Sequence, residues 1–261
     1  MKLRQDAMTS EQVMPKLGLC ILALTMFGCE ALRGPEPAPM LEAPYPERQL
    51  WAVAPLSNES GSLHADGAHI ADHLARQLEG ARGISVVPVN RVIAALDYMQ
   101  TPGVNSVEQA QQLRDLLGVD GLIVGTVSDY DAYDPPKLGL TIELYLDPRR
   151  TANELDIDVR DLTRAPTDEM TTLPEQAIRK RGPASISSGF FNAADPRVRD
   201  QLQGYASARG AHGRDESDWR LYRISMDLYT EFVSYVVSAR LLEAERHRLE
   251  QAQPPATRPA S

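Results

Sequence analysis

A nearly uninterrupted apolar run, Val119 to Val127, does most to limit the folds open to this chain. The run is rich in Val and Ile and does not alternate with polar residues, which predicts a strand buried on both faces. Such a strand needs helices on each side of its sheet, so the run predicts an α/β protein. The chain has 261 residues, 43% of them hydrophobic, which is enough to build one such core.

Short strands and helices alternate before this run, and each helix carries recognisable end signals. We predict a buried strand at Leu50–Leu56 and a second strand, rich in Val and Ile, at Ile84–Val89. The helices begin at caps and end at Gly or at a Pro-Gly break. The first two helices run from Asp66 to Gly80 and from Asn90 to about Met99. The third has the capping box Ser106 and Gln109 and ends at Gly118. Its inner side carries Ala110, Leu113, Leu116 and Leu117.

Two stretches after the run alternate apolar and polar side chains, Leu140–Leu146 and Leu155–Val159. This period of two predicts half-exposed strands, which we expect to pair as a hairpin. Residues 163–186 show no regular pattern. The segment Ile186–Phe191 predicts an edge strand.

The C-terminal part is predicted to be helical. Asp195 and Pro196 open a helix to about Arg209, and Ser217 caps a long helix to about Leu249, with Leu221 and Ile224 on its apolar face. The predicted fold is therefore an α/β, or α+β-like, sandwich: a mixed sheet with helices packed on it and a long C-terminal helix. We assign 48–249 to a single domain, with a core at 48–162, a helical extension at 186–249 and a disordered tail at 250–261.

The amino terminus has the pattern of an export signal. Leu17 to Phe27 is an uncharged apolar run after Lys16, far shorter than the roughly 20 residues that span a bilayer. We assign residues 1–28 to a signal peptide, which starts at either Met1 or Met14. Starting at Met14 gives the more typical signal, because Asp6 and Glu11 are then excluded.

Gly28-Cys29 after this run resembles the lipobox of bacterial lipoproteins, in which the cysteine is lipidated and becomes the first mature residue. We therefore expect a fatty acid such as palmitate on Cys29. Residues 29–47 are rich in proline and predict an extended tether. Glu30 is not the Asp that, by resemblance to enterobacterial sorting, retains lipoproteins in the inner membrane, so we expect the outer membrane. The alternative is a soluble export signal cleaved nearby.

Charge and cysteine content exclude several classes of protein. There are 27 Lys and Arg residues against 36 Asp and Glu residues, a net charge of −9, and no basic face is evident, so we expect no nucleic-acid partner. The only cysteines, Cys20 and Cys29, precede the body of the chain. The body therefore has neither a disulfide framework nor a Cys-based metal site, and no motif indicates a cofactor.

Four segments together resemble a known periplasmic domain. They are Trp51 to Gly61, Ala71 to Leu74, Ile84 to Pro88, and Leu117 to Val127. Their order and spacing over about residues 50–146 resemble the α/β domain shared by the curli-secretion lipoprotein family, the lipoprotein activators of penicillin-binding proteins and the TolB amino-terminal domain. The resemblance implies an envelope accessory protein that binds other proteins or peptidoglycan-associated machinery. It supplies no catalytic residues.

Two histidines are the strongest chemical signal in the body. His69 and His73 lie one helical turn apart, the spacing of two metal ligands on one helix. Glu does not follow the first His, as it does in the usual metalloprotease motif. Because the apolar stripe lies opposite, we expect both histidines on the solvated face beside Asp72 and Arg76, with metal binding as the less favoured interpretation.

Two loops are the candidate binding surface. They carry Asn58 and Ser60, and Asp129, Tyr130, Tyr133 and Asp134. Both follow strands that we expect to be parallel neighbours, so they should emerge at the same edge of the sheet. A calcium site at Asp129, Asp131 and Asp134 is the alternative, although the loop lacks the glycine and terminal Glu of a helix-loop-helix site.

The sequence thus predicts a lipoprotein of the cell envelope, facing the periplasm, with a non-catalytic assembly or accessory role in protein binding. One alternative is a metal-dependent periplasmic hydrolase. Another is a subunit of an outer-membrane secretion channel, for which the alternating strands look short. The partner is unassigned, and a homo-oligomer stays open.

Overall fold

The computed structural model describes residues 39–147, 182–210 and 218–252. The signal peptide, Cys29, the predicted strand Leu155–Val159, the helix cap Ser217 and most of the predicted tail lie outside these ranges. The elements, in chain order, are β1 (Gln49–Val53), β2 (Ser57–Asn58), α1 (Gly67–Glu79), β3 (Ile84–Val87), α2 (Val89–Tyr98), α3 (Val107–Leu117), β4 (Gly121–Asp131), β5 (Lys137–Leu146), β6 (Ser185–Asn192), α4 (Pro196–Gly210), α5 (Asp218–Ile224) and α6 (Met226–Ala252).

The sheet is mixed, in the order β3-β1-β4-β5-β6, with the short β2 also paired to β4. Strands β1, β3 and β4 are parallel, whereas β5 and β6 are antiparallel additions. The apolar run that constrains the fold forms much of the central strand β4, as predicted. Strand β5 pairs along β4 from Gly121 to Asp131, whereas β1 and β2 pair on the other side with residues from Gly121 to Val127.

Helices cover the two faces of the sheet unequally. On one face α1, α4 and α6 enclose a large core that includes Trp51, Leu74 and Phe232. On the other face α2 and α3 enclose a smaller core around Ala52 and Leu122. This arrangement confirms the predicted α/β fold with a mixed sheet and a long C-terminal helix.

Several helix ends form as the sequence predicts. The Asp66 carboxylate accepts hydrogen bonds from the backbone N–H groups of Ala68 and His69, which caps α1. The Ser106 hydroxyl accepts from the N–H of Gln109, and Gly118 ends α3 with a φ of +65°.

Three details of the predicted helices are wrong. Asn90 does not cap α2, because the helix starts at Val89, directly after Pro88, whose fixed φ leads the chain into the helix. In the capping box, the Gln109 side chain accepts from the N–H of Asn105 rather than of Ser106. Leu116 is 48% exposed rather than on the inner side of α3.

The predicted long helix is two helices that meet at Ser225. The Ser225 hydroxyl accepts a hydrogen bond from the N–H of Leu228, so this serine caps α6 and ends α5. Leu221 and Ile224 are 47% and 68% exposed, and therefore do not belong to the buried stripe of α6. Within the described ranges, none of the helices combines the length and the apolar character needed to cross a bilayer.

Residues 39–47, just before β1, were predicted to be part of an extended tether, but they pack against the rest of the structure. Leu41 and Ala43 are buried, and the Ala43 N–H donates to the Arg82 carbonyl oxygen. The Tyr45 hydroxyl donates to Glu245 of α6 at 2.7 Å. Proline-rich sequence therefore packs here because the few apolar and aromatic side chains between the prolines enter the core. Residues 39–47 belong to the domain.

The close approach of α1 to the preceding chain gives a stability test. A Cβ on Gly67 would lie 1.8 Å from the Leu56 carbonyl oxygen, which is backbone and cannot turn aside. We predict that Gly67→Ala lowers the free energy of unfolding by about 1–3 kcal/mol in urea denaturation. Gly103→Ala is the control, because a Cβ there meets no atom within 4 Å. Similar changes for the two variants would contradict the packing described.

Candidate functional site

The two predicted loops do share one edge of the sheet. Strand β2 pairs in parallel with β4, with Ser57 opposite Thr126 and Asn58 opposite Val127. The chain that follows each strand therefore leaves the sheet at the same, carboxyl edge. We call residues 58–62 and 129–136 the loop surface.

Asn58 and Ser60 hold the first loop in shape. The Asn58 amide donates to the carbonyl oxygens of Ser62 and Ala65, at 2.8 and 3.1 Å. Its Oδ1 accepts from the N–H and the hydroxyl of Ser60, at 3.1 and 2.7 Å. These polar groups are engaged within the loop, which makes them positioning residues of the surface.

The two tyrosines of the second loop differ in exposure. Tyr130 lies in β4 and is partly buried against the large core. This burial is the main cause that raises the pKa of Tyr130, and the negative charges of Asp227 and Asp66 raise it further. Tyr130 is therefore partly buried, which leaves Tyr133 as the exposed tyrosine of this loop. Tyr133 is 85% exposed at the tip of the turn.

The carboxylates of this turn are braced by cations. Asp131 accepts from the N–H of Tyr133 and from Lys137 Nζ, both at 3.1 Å, and these two contacts hold its pKa below the usual range. Asp134 pairs with Arg223 of α5 at 2.9 Å. Asp129 follows a bulge in β4 and does not join the other two in a ligand set, which argues against the calcium alternative.

Beside the loop surface, His69 and His73 of α1 meet Asp227 in the first turn of α6. Asp227 Oδ1 lies 2.7 Å from His69 Nε2 and 2.8 Å from His73 Nε2, and the two nitrogens are 3.2 Å apart. The His69 side chain is 55% exposed, whereas that of His73 is 2% exposed. The expectation that both lie on a solvated face is wrong for His73, because the start of α6 covers it.

The surroundings decide the charge state of this cluster. Burial lowers the pKa of His73; the hydrogen bond to Asp227 opposes this shift, and Arg76 adds to it. Partial burial acts to raise the pKa of Asp227, but hydrogen bonds from both histidines outweigh it and leave the pKa below its usual range. Arg76 Nη2 lies 3.0 Å from His73 Nδ1 and can only donate there. His73 is therefore neutral, with its proton on Nε2 facing Asp227.

Asp227 is the site residue that the sequence does not reveal. It lies 154 positions after His73, and no local pattern connects the two. Its placement as an acidic residue in the first turn of a helix looks like an ordinary favourable interaction with the helix dipole. Only the packing of α6 on α1 brings the three side chains together.

Comparisons with known proteins identify no family for the chain. No protein-family model matches it, and no curated protein matches it. Among solved structures, the LpoB C-terminal domain from Salmonella enterica is similar with a TM-score of 0.32 and 13% identity, over 38% of this chain and 73% of that one. The lipoprotein GNA1162 from Neisseria meningitidis has a TM-score of 0.31 and 20% identity, over 38% and 72%.

A third similar structure covers more of the chain. The hypothetical protein CT253 from Chlamydia trachomatis has a TM-score of 0.32 and 12% identity, over 78% of this chain and 98% of that one. These likenesses are distant and carry no conclusion about what this chain binds. They do not single out the curli-secretion or TolB groups.

Proposed function

We propose that this chain is an exported, lipid-anchored protein of the bacterial cell envelope that acts as a non-catalytic binding module through its loop surface. The sequence supports export and anchoring through the apolar run Leu17–Phe27 and Gly28-Cys29. The structure supports the binding role through one observation: a fully formed turn that presents Tyr133 to solvent.

The loop surface lies away from the point where the anchored segment enters the domain. Leu41 and Ala43 pack beside Arg82, just before β3 begins at Ile84. Because β3 and β1 are parallel to β4, this entry is at the amino edge of the sheet, opposite the loop surface. Residues 30–38 between Cys29 and Pro39 reach at most about 30 Å when extended. The proposed anchor thus keeps the domain near the membrane with Tyr133 facing outward into the periplasm.

Tyr133 is suited to anchor a partner. Asp131 with Lys137 on one side, and Asp134 with Arg223 on the other, hold the turn before any partner arrives. An aromatic side chain on a prearranged turn loses little conformational entropy on binding, and tyrosines often dominate binding energy. The partner class we propose is another envelope protein or peptidoglycan-associated machinery, in the outer membrane or the periplasm.

The non-catalytic role is supported by what the polar groups of the surface do. Asn58, Ser60, Asp131 and Asp134 are each engaged with the loop itself or with a neighbouring helix. A nucleophile needs a base within hydrogen-bond reach, and the Ser60 hydroxyl instead donates to the Asn58 side chain, which is no base.

Lipidation gives the first test of this proposal. We predict that a fatty-acid probe labels the wild-type protein in growing cells and that Cys29→Ser removes the label completely. Cys20→Ser is the matched control, because this cysteine lies within the predicted signal peptide and should leave labelling unchanged. Label retained in Cys29→Ser, or absent from the wild type, would disprove the anchor.

Capture of partners gives the second test. We predict that Tyr133→Ala reduces recovery of co-purifying envelope proteins from solubilised membranes at least tenfold, which corresponds to about 1.4 kcal/mol of binding energy. Tyr98→Ala is the control, because Tyr98 is 79% exposed but ends α2 away from the loop surface. Circular dichroism should show both variants folded. Equal recovery with Tyr133→Ala and wild type would place binding elsewhere.

A further inference from the structure

We propose that His69 Nε2, His73 Nε2 and an Asp227 carboxylate oxygen bind one divalent transition-metal ion of the zinc class. This site is independent of the lipid anchor and of the loop surface. Three ligand atoms from two helices already converge on one point, at separations of 2.7, 2.8 and 3.2 Å. Among the residues that the structure describes, this is the one group of three His, Cys, Asp or Glu side chains so arranged.

The spacing fits four-coordinate zinc after a small adjustment. Bonds of about 2.0–2.1 Å in a tetrahedral site place ligand atoms about 3.3–3.4 Å apart. The two histidine nitrogens are already at 3.2 Å. The Asp227 oxygen must move outward by about 0.5 Å, which its 60% exposed side chain allows. His73 is the buried ligand of the three, with a side chain that is 2% exposed.

The types of ligand select the class of ion. Imidazole nitrogens favour zinc, cobalt, nickel and copper, whereas magnesium and calcium prefer sites made wholly of oxygen. Asp227 supplies the negative charge that a cation needs beside a buried histidine. Since His69 and Asp227 are more than half exposed, the fourth position is open to water.

Arg76 should weaken binding of the ion. Because Arg76 Nη2 donates to His73 Nδ1, the proton of neutral His73 is on Nε2. Binding at Nε2 moves that proton to Nδ1, so Arg76 must release the ring. The positive charge of the guanidinium also repels a bound cation, which weakens binding further. Replacing Arg76 with a neutral side chain that cannot donate should therefore strengthen binding.

The ion would join α1 to the first turn of α6. It binds only the folded arrangement, since the ligands lie 154 residues apart along the chain. Zinc should therefore raise the thermal unfolding temperature in proportion to the logarithm of its free concentration, once that exceeds the dissociation constant.

The test uses the full-length purified protein, stripped with a chelator and titrated with zinc or cobalt chloride. We expect one equivalent of cobalt to give the intense visible absorption of a four-coordinate ion, and zinc to displace it. His69→Ala should abolish this signal while preserving the fold, because His69 is exposed. His64→Ala is the control, an exposed histidine just before α1 that should bind as the wild type does. Arg76→Met should tighten binding about tenfold.

The outcomes separate this site from others in the chain. Binding that survives His69→Ala would come from elsewhere in the chain and would overturn the proposal. Absence of any cobalt spectrum in the wild type and in Arg76→Met would overturn it as well. Magnesium in excess should not displace cobalt, and its doing so would show an oxygen site instead.

Discussion

The packing of α6 across the sheet is the interaction on which the rest of the structure depends. Its buried face includes Tyr229, Phe232 and Leu241, which close the large core. Near its end, Glu245 is completely buried and accepts hydrogen bonds from Tyr45, Ser185 and Arg248. A buried carboxylate is stable only when its oxygens are satisfied, so this residue fastens the segment before β1, strand β6 and α6 to one another.

The C-terminal helices also brace the edge of the sheet that carries the loop surface. Arg223 of α5 reaches the turn that carries Tyr133, and Asp227 of α6 reaches the histidines of α1. Arg223 and Asp227, which are close together in the chain, thus connect the C-terminal helices to the turn that carries Tyr133 and to the histidine cluster. Both features depend on α6 having packed, so a chain truncated before α5 would lose the brace of the turn and the third ligand of the cluster together.

Local signals in the sequence predicted the fold well where neighbouring residues decide the outcome. The cap at Asp66, the φ-positive Gly118 and the alternation in Leu140–Leu146 are read from a few adjacent residues. The first two appear in the structure, and the alternation holds from Leu140 to Leu144, after which Tyr145 is buried. Ser225 shows the limit of this reading, because a continuous apolar stripe masks a serine whose hydroxyl caps a new helix.

The candidate site was harder to predict, because distant packing decides it. The loops emerge at one edge, as parallel pairing of neighbouring strands requires. Partial burial of Tyr130 and burial of His73, however, depend on the large core and on the start of α6, which no pattern in the segments around these residues reveals.

If Tyr133 contacts a partner in the envelope, site-specific photo-crosslinking in growing cells should detect that contact. A photoreactive residue at position 133 should yield a crosslinked envelope protein, and one at position 98 should not. Crosslinks from position 98 with none from position 133 would show that the partner binds elsewhere.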